Sequence, residues 1–259
     1  MPETMKSTIT YLALIIIIGI TGCTKSDGSN DLSTVEGQAG SLAKMIAVEN
    51  HLYVINDSEM KIFEISNPQS PIYKNTVDVG FGIETLFPFG EHLFIGSVDG
   101  MYIYDITDPT NPFLTTEEQV QHIAGCDPVV ANENYAYVTL NTLRTSCGNL
   151  QAANVLMVYD ISDISNVTLI SSRSMDGPKG LALDGDLLFI CDAEDGVEVF
   201  DLSEDPKFPF PILTIDGFTA NDLIANNGHM MVVCEDGVRQ FDYTNIDNVS
   251  LMSFLSTDE

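Results

Sequence analysis

The fold is decided by a stretch that recurs along the chain, Tyr102-Ile103-Tyr104-Asp105-Ile106-Thr107-Asp108-Pro109. Its centre is an aromatic residue, an acid and usually an aliphatic residue. This triplet occurs five times, at Phe63-Glu64-Ile65, Tyr104-Asp105-Ile106, Tyr159-Asp160-Ile161, Phe200-Asp201-Leu202 and Phe241-Asp242-Tyr243. Successive acids lie 41, 55, 41 and 41 positions apart, so the period is 41 residues with one insertion of 14. Because a period in the low forties built from short apolar runs is typical of propeller blades, we predict an all-β chain, a single β-propeller of five four-stranded blades.

Each repeat divides into four short strands, which in the second repeat are Glu84–Phe89, His92–Ser97, Met101–Ile106 and Phe113–Val120. Tight hairpins are predicted between the second and third strands, because Gly accepts positive φ, at Asp99-Gly100, Asp195-Gly196 and Asp236-Gly237. Turns are predicted between the third and fourth strands at Asn67-Pro68, Asp108-Pro109 and Asp205-Pro206. The second strands are almost wholly apolar, which predicts that they are buried on both faces between neighbouring blades.

The five equivalent acids favour a structural role over a catalytic one. Each follows a third strand and precedes a turn, where a carboxylate can accept hydrogen bonds from backbone N–H groups. A reaction rarely needs the same group five times. We therefore predict that these acids cap turns.

The first 22 residues are expected to be an export signal. Lys6 supplies a positive charge, Tyr11 to Ile20 is an almost unbroken apolar run, and Thr21-Gly22-Cys23 follows. The run is about half the ~20 residues that a membrane-spanning helix needs. The pattern is similar to bacterial lipoprotein signals, which implies that Cys23 becomes the N-terminus and carries the acyl chains, palmitate among them. The alternative is an ordinary secretory signal with a chance cysteine.

The next segment, residues 23–40, is rich in Ser, Gly, Asn and Asp, and we expect a flexible acidic tether. Thr24, where an Asp would resemble the signal for inner-membrane retention, favours the outer membrane, with possible exposure at the cell surface. The predicted propeller takes up residues 41–259. Its blades are expected at about 41–80, 81–123, 124–175, 176–218 and 219–259.

Composition limits the partners. The chain has 10 Lys and Arg against 38 Asp and Glu, a net charge of −28, which repels the phosphates of nucleic acids and excludes them as partners. No cofactor motif is present, and no Cys-x-x-Cys pair or cysteine–histidine cluster suggests zinc.

Four cysteines remain once Cys23 is assigned to lipid. Cys126 begins the first strand of blade 3 and Cys147 lies within the insertion, so we expect a Cys126–Cys147 disulfide that holds the insertion in place. Cys191 and Cys234 end the second strands of neighbouring blades, which places them too far apart to bond. They are predicted to be buried free thiols.

Stretches such as residues 102–109 resemble the LVIVD repeat of bacterial cell-surface propeller proteins. The similarity covers roughly residues 40–259 and is closest over 37–108. It implies a β-propeller on a surface lipoprotein and says little about activity.

The best candidate site lies at one mouth of the central channel. Alignment of the repeats places one residue per blade at the start of the innermost strand: Ala43, Glu84, Asp127, Lys179 and Asp222. The insertion, Asn141–Ala153 with Arg144, belongs to the same face, as does His122. Any water-filled propeller channel also tolerates charge at its mouth without a function. His51 and His92 lie at the opposite turn, and we interpret them as structural.

Three functions compete. The first is a non-enzymatic binding or scaffold protein of the cell envelope that recognises a protein or glycan at the channel mouth and insertion; no nucleophile–base pair or oxyanion motif is visible. The second is a glycoside hydrolase that uses Glu84, Asp127 and Asp222, although the chain has no Trp for sugar stacking. The third is a structural Ca²⁺ in the carboxylate ring, which the ammonium of Lys179 opposes.

The closure of the ring is also open. Blade 5 could pack on blade 1, residues 33–42 could add an outer strand, or the blades could form part of a larger ring.

Overall fold

The computed structural model describes residues 42–97, 100–115, 120–121, 128–141, 154–192 and 195–257. Within them, the strands form five antiparallel sheets and are hydrogen-bonded in chain order. Blade 1 contains β1 (Met45–Val48), β2 (His51–Ile55), β3 (Glu59–Glu64) and β4 (Ile72–Asp78). Blade 2 contains β5 (Ile83–Phe89), β6 (His92–Ser97), β7 (Gly100–Asp105), β8 (Phe113–Leu114) and β9 (Val120–Gln121).

Blade 3 contains β10 (Val129–Ala131), β11 (Tyr135–Asn141), β12 (Asn154–Asp160) and β13 (Thr168–Ser174). Blade 4 contains β14 (Pro178–Asp184), β15 (Leu187–Asp192), β16 (Val197–Asp201) and β17 (Phe210–Ile215). Blade 5 contains β18 (Ala220–Asn226), β19 (His229–Cys234), β20 (Gly237–Asp242) and β21 (Ser250–Ser256). The predicted all-β propeller of five four-stranded blades is confirmed. The described residues include no helix long and apolar enough to cross a membrane.

The outer edge of blade 2 differs from the prediction of one strand over Phe113–Val120. Two short strands, β8 and β9, pair with different ends of β7. Between these pairings, Thr115 donates its backbone N–H and its hydroxyl to the carbonyl oxygen of Ile103. Residues 116–119, between Thr115 and β9, lie outside the described part of the chain.

The core lies between the blades rather than inside any one of them. Four buried clusters each join two consecutive blades, in the order 1–2, 2–3, 3–4 and 4–5. In blades 1 to 4, the third residue of the second strand is a fully buried aromatic residue that faces the next blade: Tyr53, Phe94, Tyr137 and Phe189. The second strands of blades 2, 3 and 4 are buried on both faces, as their composition predicts.

Two of these aromatic residues are hydrogen-bonded to a proline turn of the next blade. The hydroxyl of Tyr53 donates to the carbonyl oxygen of Pro109 at 3.1 Å, and that of Tyr137 to the carbonyl oxygen of Pro206 at 3.0 Å. Phe94 and Phe189, which have no hydroxyl, face blades whose corresponding turns are 3-10 turns without proline, Ile164–Asn166 and Ile246–Asn248. The aromatic residue of one blade therefore matches the turn type of the next.

Tyr137→Phe is expected to lower the free energy of unfolding by about 1 kcal/mol, because it leaves the Pro206 carbonyl without its donor. Urea unfolding followed by circular dichroism measures this change. Tyr73→Phe is the control, since Tyr73 is exposed and its hydroxyl contacts only Thr76 on the same strand. Equal effects of the two substitutions would contradict the assigned role of the interblade hydrogen bond.

The first and last blades each keep one face outside these clusters. No cluster of the described residues joins blade 5 to blade 1, and apolar side chains of both blades are exposed there. Closure by packing blade 5 on blade 1 is therefore not observed in the described part of the chain. Of residues 33–42, the other candidate for closing the ring, all but Leu42 lie outside it.

Candidate functional site

The repeated acids cap turns, as predicted. In three blades, the carboxylate accepts both the backbone N–H and the hydroxyl of the residue two positions later, in the pairs Asp105–Thr107, Asp160–Ser162 and Asp242–Thr244. Asp201 accepts the backbone N–H of Ser203 at 2.8 Å. Glu64, with its longer side chain, accepts the hydroxyl of Ser66 at 2.8 Å.

These hydrogen bonds favour the ionised acids. The donors from Thr107, Ser162, Ser203 and Thr244 lower the pKa values of the four aspartates, and Lys74 with Ser66 lowers that of Glu64. A second cap follows three residues later in four blades and four residues later in blade 4, at Asn67, Asp108, Asp163, Asp205 and Asn245. The five acids belong to the turn structure and not to a reaction site.

The innermost strands of blades 2, 4 and 5 carry a β-bulge near their start. The register pairs Ile83 with Ser97, Pro178 with Asp192 and Ala220 with Cys234, and the ladder shifts directly afterwards. The residues at the shift are Glu84, Lys179 and Asn221. Of the residues that the sequence alignment placed together, Glu84 and Lys179 lie at the shift, whereas Asp222 lies one position further along and is paired with Val233.

The length of one hairpin explains why Asp222 is not the equivalent of Lys179. Cys191 and Val197 are paired in blade 4 with five residues between them, whereas Val233 and Val238 are paired in blade 5 with four. The period of 41 was read from the third strands and does not hold for the inner strands of these two blades. For the same reason, Cys234 corresponds to Asp192 and not to Cys191.

Lys179, at the start of β14, is fixed by two hydrogen bonds. Its ammonium donates to Oδ1 of Asn221, the equivalent residue of the next blade, at 2.8 Å. Its carbonyl oxygen accepts the buried hydroxyl of Thr139 at 2.6 Å. The next residue is Gly180, where an added Cβ would lie 2.1 Å from a carboxylate oxygen of Asp222. The glycine thus makes room for the Asp222 carboxylate between blades 4 and 5.

The insertion of blade 3 leaves and returns beside Lys179. Asn141 and Asn154 are paired partners with residues 142–153 between them, whereas the hairpins Ser97–Gly100 and Cys234–Gly237 have two residues between partners. One side of its base is fixed by Thr139, and the other by Asn154, whose amide nitrogen donates to the carbonyl oxygen of Asp176. The first hydrogen bond reaches β14 itself, and the second reaches the segment that leads into it.

Asp192 is a buried carboxylate at this face that the sequence analysis missed. Its side chain accepts the backbone N–H groups of Asp176 and Gly177 and fixes the approach to β14. Burial raises its pKa, and burial together with the nearby Asp192 also raises the pKa of Glu198. The available signal was an acid directly after the apolar run that ends at Cys191.

Several predicted residues lie outside the described part of the chain: Cys23, His122, Cys126, Asp127, Arg144 and Cys147. The Cys126–Cys147 disulfide and the lipidation of Cys23 therefore stay predictions. Cys191 and Cys234 are buried free thiols, as predicted. Among the described residues, no group of three or more His, Cys, Asp or Glu could hold a metal ion.

Comparison with known proteins identifies the repeat. The LVIVD repeat model matches residues 37–79, 89–117 and 151–174, so the chain carries LVIVD repeats. A search of curated protein sequences finds no match.

Solved structures are similar in fold. A protein from Lactobacillus plantarum has 16% identity and a TM-score of 0.61, with 82% of this chain and 69% of that chain covered. A periplasmic gluconolactonase from Pseudomonas aeruginosa has 14% identity and a TM-score of 0.61, with 80% and 68% covered. A functionally unknown protein from Desulfotomaculum acetoxidans has 10% identity and a TM-score of 0.61, with 85% and 71% covered. At these identities the likeness concerns the fold alone.

Proposed function

We propose, from the premise that this chain is a β-propeller built of LVIVD repeats, that it is a non-enzymatic binding or scaffold protein of the cell envelope. Lipid on Cys23 would anchor it to the outer membrane, and residues 23–40 would hold the propeller away from the bilayer. The channel mouth and the insertion of blade 3 would recognise an envelope protein or a glycan.

One observation carries the proposal. The Lys179 ammonium is hydrogen-bonded to the Asn221 amide, and the two sides of the insertion base are hydrogen-bonded to the carbonyl oxygens of Lys179 and Asp176. Loops on a rigid scaffold are common recognition elements because the scaffold fixes their bases. The insertion of blade 3 meets that requirement, because hydrogen bonds fix its base beside Lys179.

The charge of Lys179 suggests the chemistry of the partner. Within the described residues, its hydrogen-bond partner is a neutral amide, and no carboxylate lies within ion-pair distance of it. Among the described residues, no acid offsets this positive charge, although the chain has 38 acids. A partner that presents a carboxylate, from an acidic side chain or an acidic sugar, would complement it.

The corrected register gives the hydrolase alternative less support. Asp222 does not share the bulge position of Glu84, and its carboxylate lies against Gly180. A glycoside hydrolase needs two carboxyl groups at a defined separation across the substrate. Asp222 therefore lacks the equivalence on which that hypothesis depended. Asp127 lies outside the described residues.

Lys179→Met in the tagged mature protein is expected to lose a partner captured from detergent-solubilised envelope. The matched control is Lys207→Met, which removes the same charge at an exposed turn on the opposite side. Retention of every partner by Lys179→Met would contradict the role of the channel mouth.

Cys23→Ser is expected to move the protein from the membrane fraction to the soluble fraction, and an unchanged distribution would contradict the lipid anchor.

A further inference from the structure

The second strand of blade 5 departs from the burial rule of the other blades. Its third residue is Met231, where blades 1 to 4 have a buried aromatic residue that faces the next blade. Met231 is 48% exposed and Val233, on the same side, is 47% exposed. Met230 and Val232, whose side chains alternate with these, are buried against blade 4. Blade 5 therefore has the face that elsewhere receives a following blade.

This surface extends across the sheet. Val233 is paired with Val238, and Val238 with Leu255, so the three side chains lie on one face. Leu255 is 71% exposed. We call Met231, Val233, Val238 and Leu255 the blade 5 end face.

Blade 1 has the opposite kind of face. The second and fourth residues of the second strand pack against the preceding blade in blades 2, 3 and 4, as Leu93 and Ile95 do against blade 1. The corresponding residues of blade 1, Leu52 and Val54, have no preceding blade among the described residues. Cross-strand pairing adds Met45, Phe63 and Tyr73 to them, and Met45 and Tyr73 are 62% and 57% exposed. We call these five residues the blade 1 end face.

The two end faces match residue by residue. Between blades 3 and 4, Arg173 of the fourth strand lies over the ring of Phe200, at 5.4 Å from its centroid. By register, Leu255 is the equivalent of Arg173, and Phe63 is the equivalent of Phe200. If blade 1 followed blade 5, an exposed leucine would therefore cover a phenylalanine. Met231 would likewise lie on Leu52 and Val54, as the buried aromatic residues do elsewhere.

We propose that the blade 5 end face of one molecule docks on the blade 1 end face of a second copy, head to tail. The contact continues the blade-to-blade interface that already repeats four times within the chain. It buries the exposed apolar side chains of both end faces, which single molecules leave in water. A head-to-tail contact of this kind is heterologous and builds rings or open chains of copies. The proposal is independent of the channel-mouth function.

Salt should distinguish this association from an electrostatic one. Two copies that each carry a net charge of −28 repel one another at low ionic strength. The end faces themselves are apolar, so screening removes the opposition without weakening the contact. Self-association of the mature protein is expected to increase between 20 mM and 500 mM NaCl.

The decisive experiment uses two variants that each add one cysteine, Leu255→Cys and Phe63→Cys. Each is oxidised alone and in an equal mixture at 500 mM NaCl, with the parent chain as background, and covalent dimers are read on a non-reducing gel. The proposal predicts a strong dimer band in the mixture and only background in each variant alone. A dimer of Leu255→Cys alone would show a two-fold contact between blade 5 faces and would overturn the head-to-tail arrangement.

A chain with both substitutions tests closure within one molecule. If it forms its bond as a monomer at all protein concentrations, blade 5 closes on blade 1 of the same copy and the proposal fails. Sedimentation equilibrium provides the second readout. Met231→Asp is expected to weaken self-association about tenfold or more, whereas Phe210→Asp, at an exposed apolar residue of β17 in blade 4, leaves it unchanged. A parent protein that is monomeric at every salt concentration would also overturn the proposal.

Discussion

Gly196→Ala is expected to lower the free energy of unfolding by about 3 kcal/mol. Gly196 has φ +86°, a conformation that costs an L-residue about 1–2 kcal/mol. An added Cβ would also lie 2.1 Å from the carbonyl oxygen of Ile215 on the adjacent fourth strand. Because that oxygen belongs to the backbone, the sheet must shift to admit the methyl group, and overpacking of this kind costs about 1–3 kcal/mol.

Gly185→Ala is the matched control. Gly185 also has positive φ, +58°, but an added Cβ there would meet nothing within 4 Å. It should therefore show the conformational cost alone, about 1 kcal/mol. Urea unfolding of both variants gives the difference. Equal losses would mean that β16 and β17 separate easily and that the close approach at Ile215 contributes nothing.

The second large effect is expected at Asp192. Asp192→Leu leaves the buried N–H of Gly177 and the partly buried N–H of Asp176 without their acceptor and should cost about 2–4 kcal/mol, since an unsatisfied buried donor costs about 1–3 kcal/mol and a partly buried one less. Asp192→Asn keeps one acceptor oxygen and should cost less. If the leucine variant is as stable as the parent, these hydrogen bonds do not hold the segment before β14.

The pH dependence gives a second signature of Asp192. Burial raises its pKa above the usual value of 3.8, so the folded protein binds this proton more tightly than the unfolded chain. Its contribution to stability is greatest below pH 3.8 and falls as pH rises through the raised pKa. Asparagine does not titrate. The stability of the parent relative to Asp192→Asn should therefore improve as pH falls towards 4, and an unchanged difference would show that the carboxyl is not perturbed.

The repeat predicted most of the architecture because it marks the same place in every blade. The aromatic–acid triplet ends the third strand, and its acid forms side-chain hydrogen bonds within the following turn. One spacing therefore predicted the number of blades, the turns and the caps. The apolar runs of the second strands predicted the burial between blades, since only residues enclosed on both sides lose alternation.

The site was harder to predict because its residues lie on other strands. One extra residue in the hairpin between Cys191 and Val197 moved the inner strand of blade 4 relative to its triplet. The equivalent of Lys179 in blade 5 is therefore Asn221, which accepts a hydrogen bond from the Lys179 ammonium. The role of Asp192 depends on two backbone N–H groups sixteen and fifteen residues earlier, which no local pattern reveals. The end faces were unpredictable for a similar reason, because their composition is that of ordinary buried strands.

The four interblade clusters also determine how the molecule should open. When each unit contacts only its neighbours in sequence, stability is approximately a sum of unit and nearest-neighbour terms, and the ends fray before the middle. Among the described residues of a single copy, these clusters give blades 1 and 5 one neighbour each and blades 2, 3 and 4 two. Amide hydrogens of β1 and β18 should therefore exchange with solvent sooner than those of β10, although all three are innermost strands. The chain would then open from its two end blades towards blade 3, as a linear array of repeats does, and less like a closed ring.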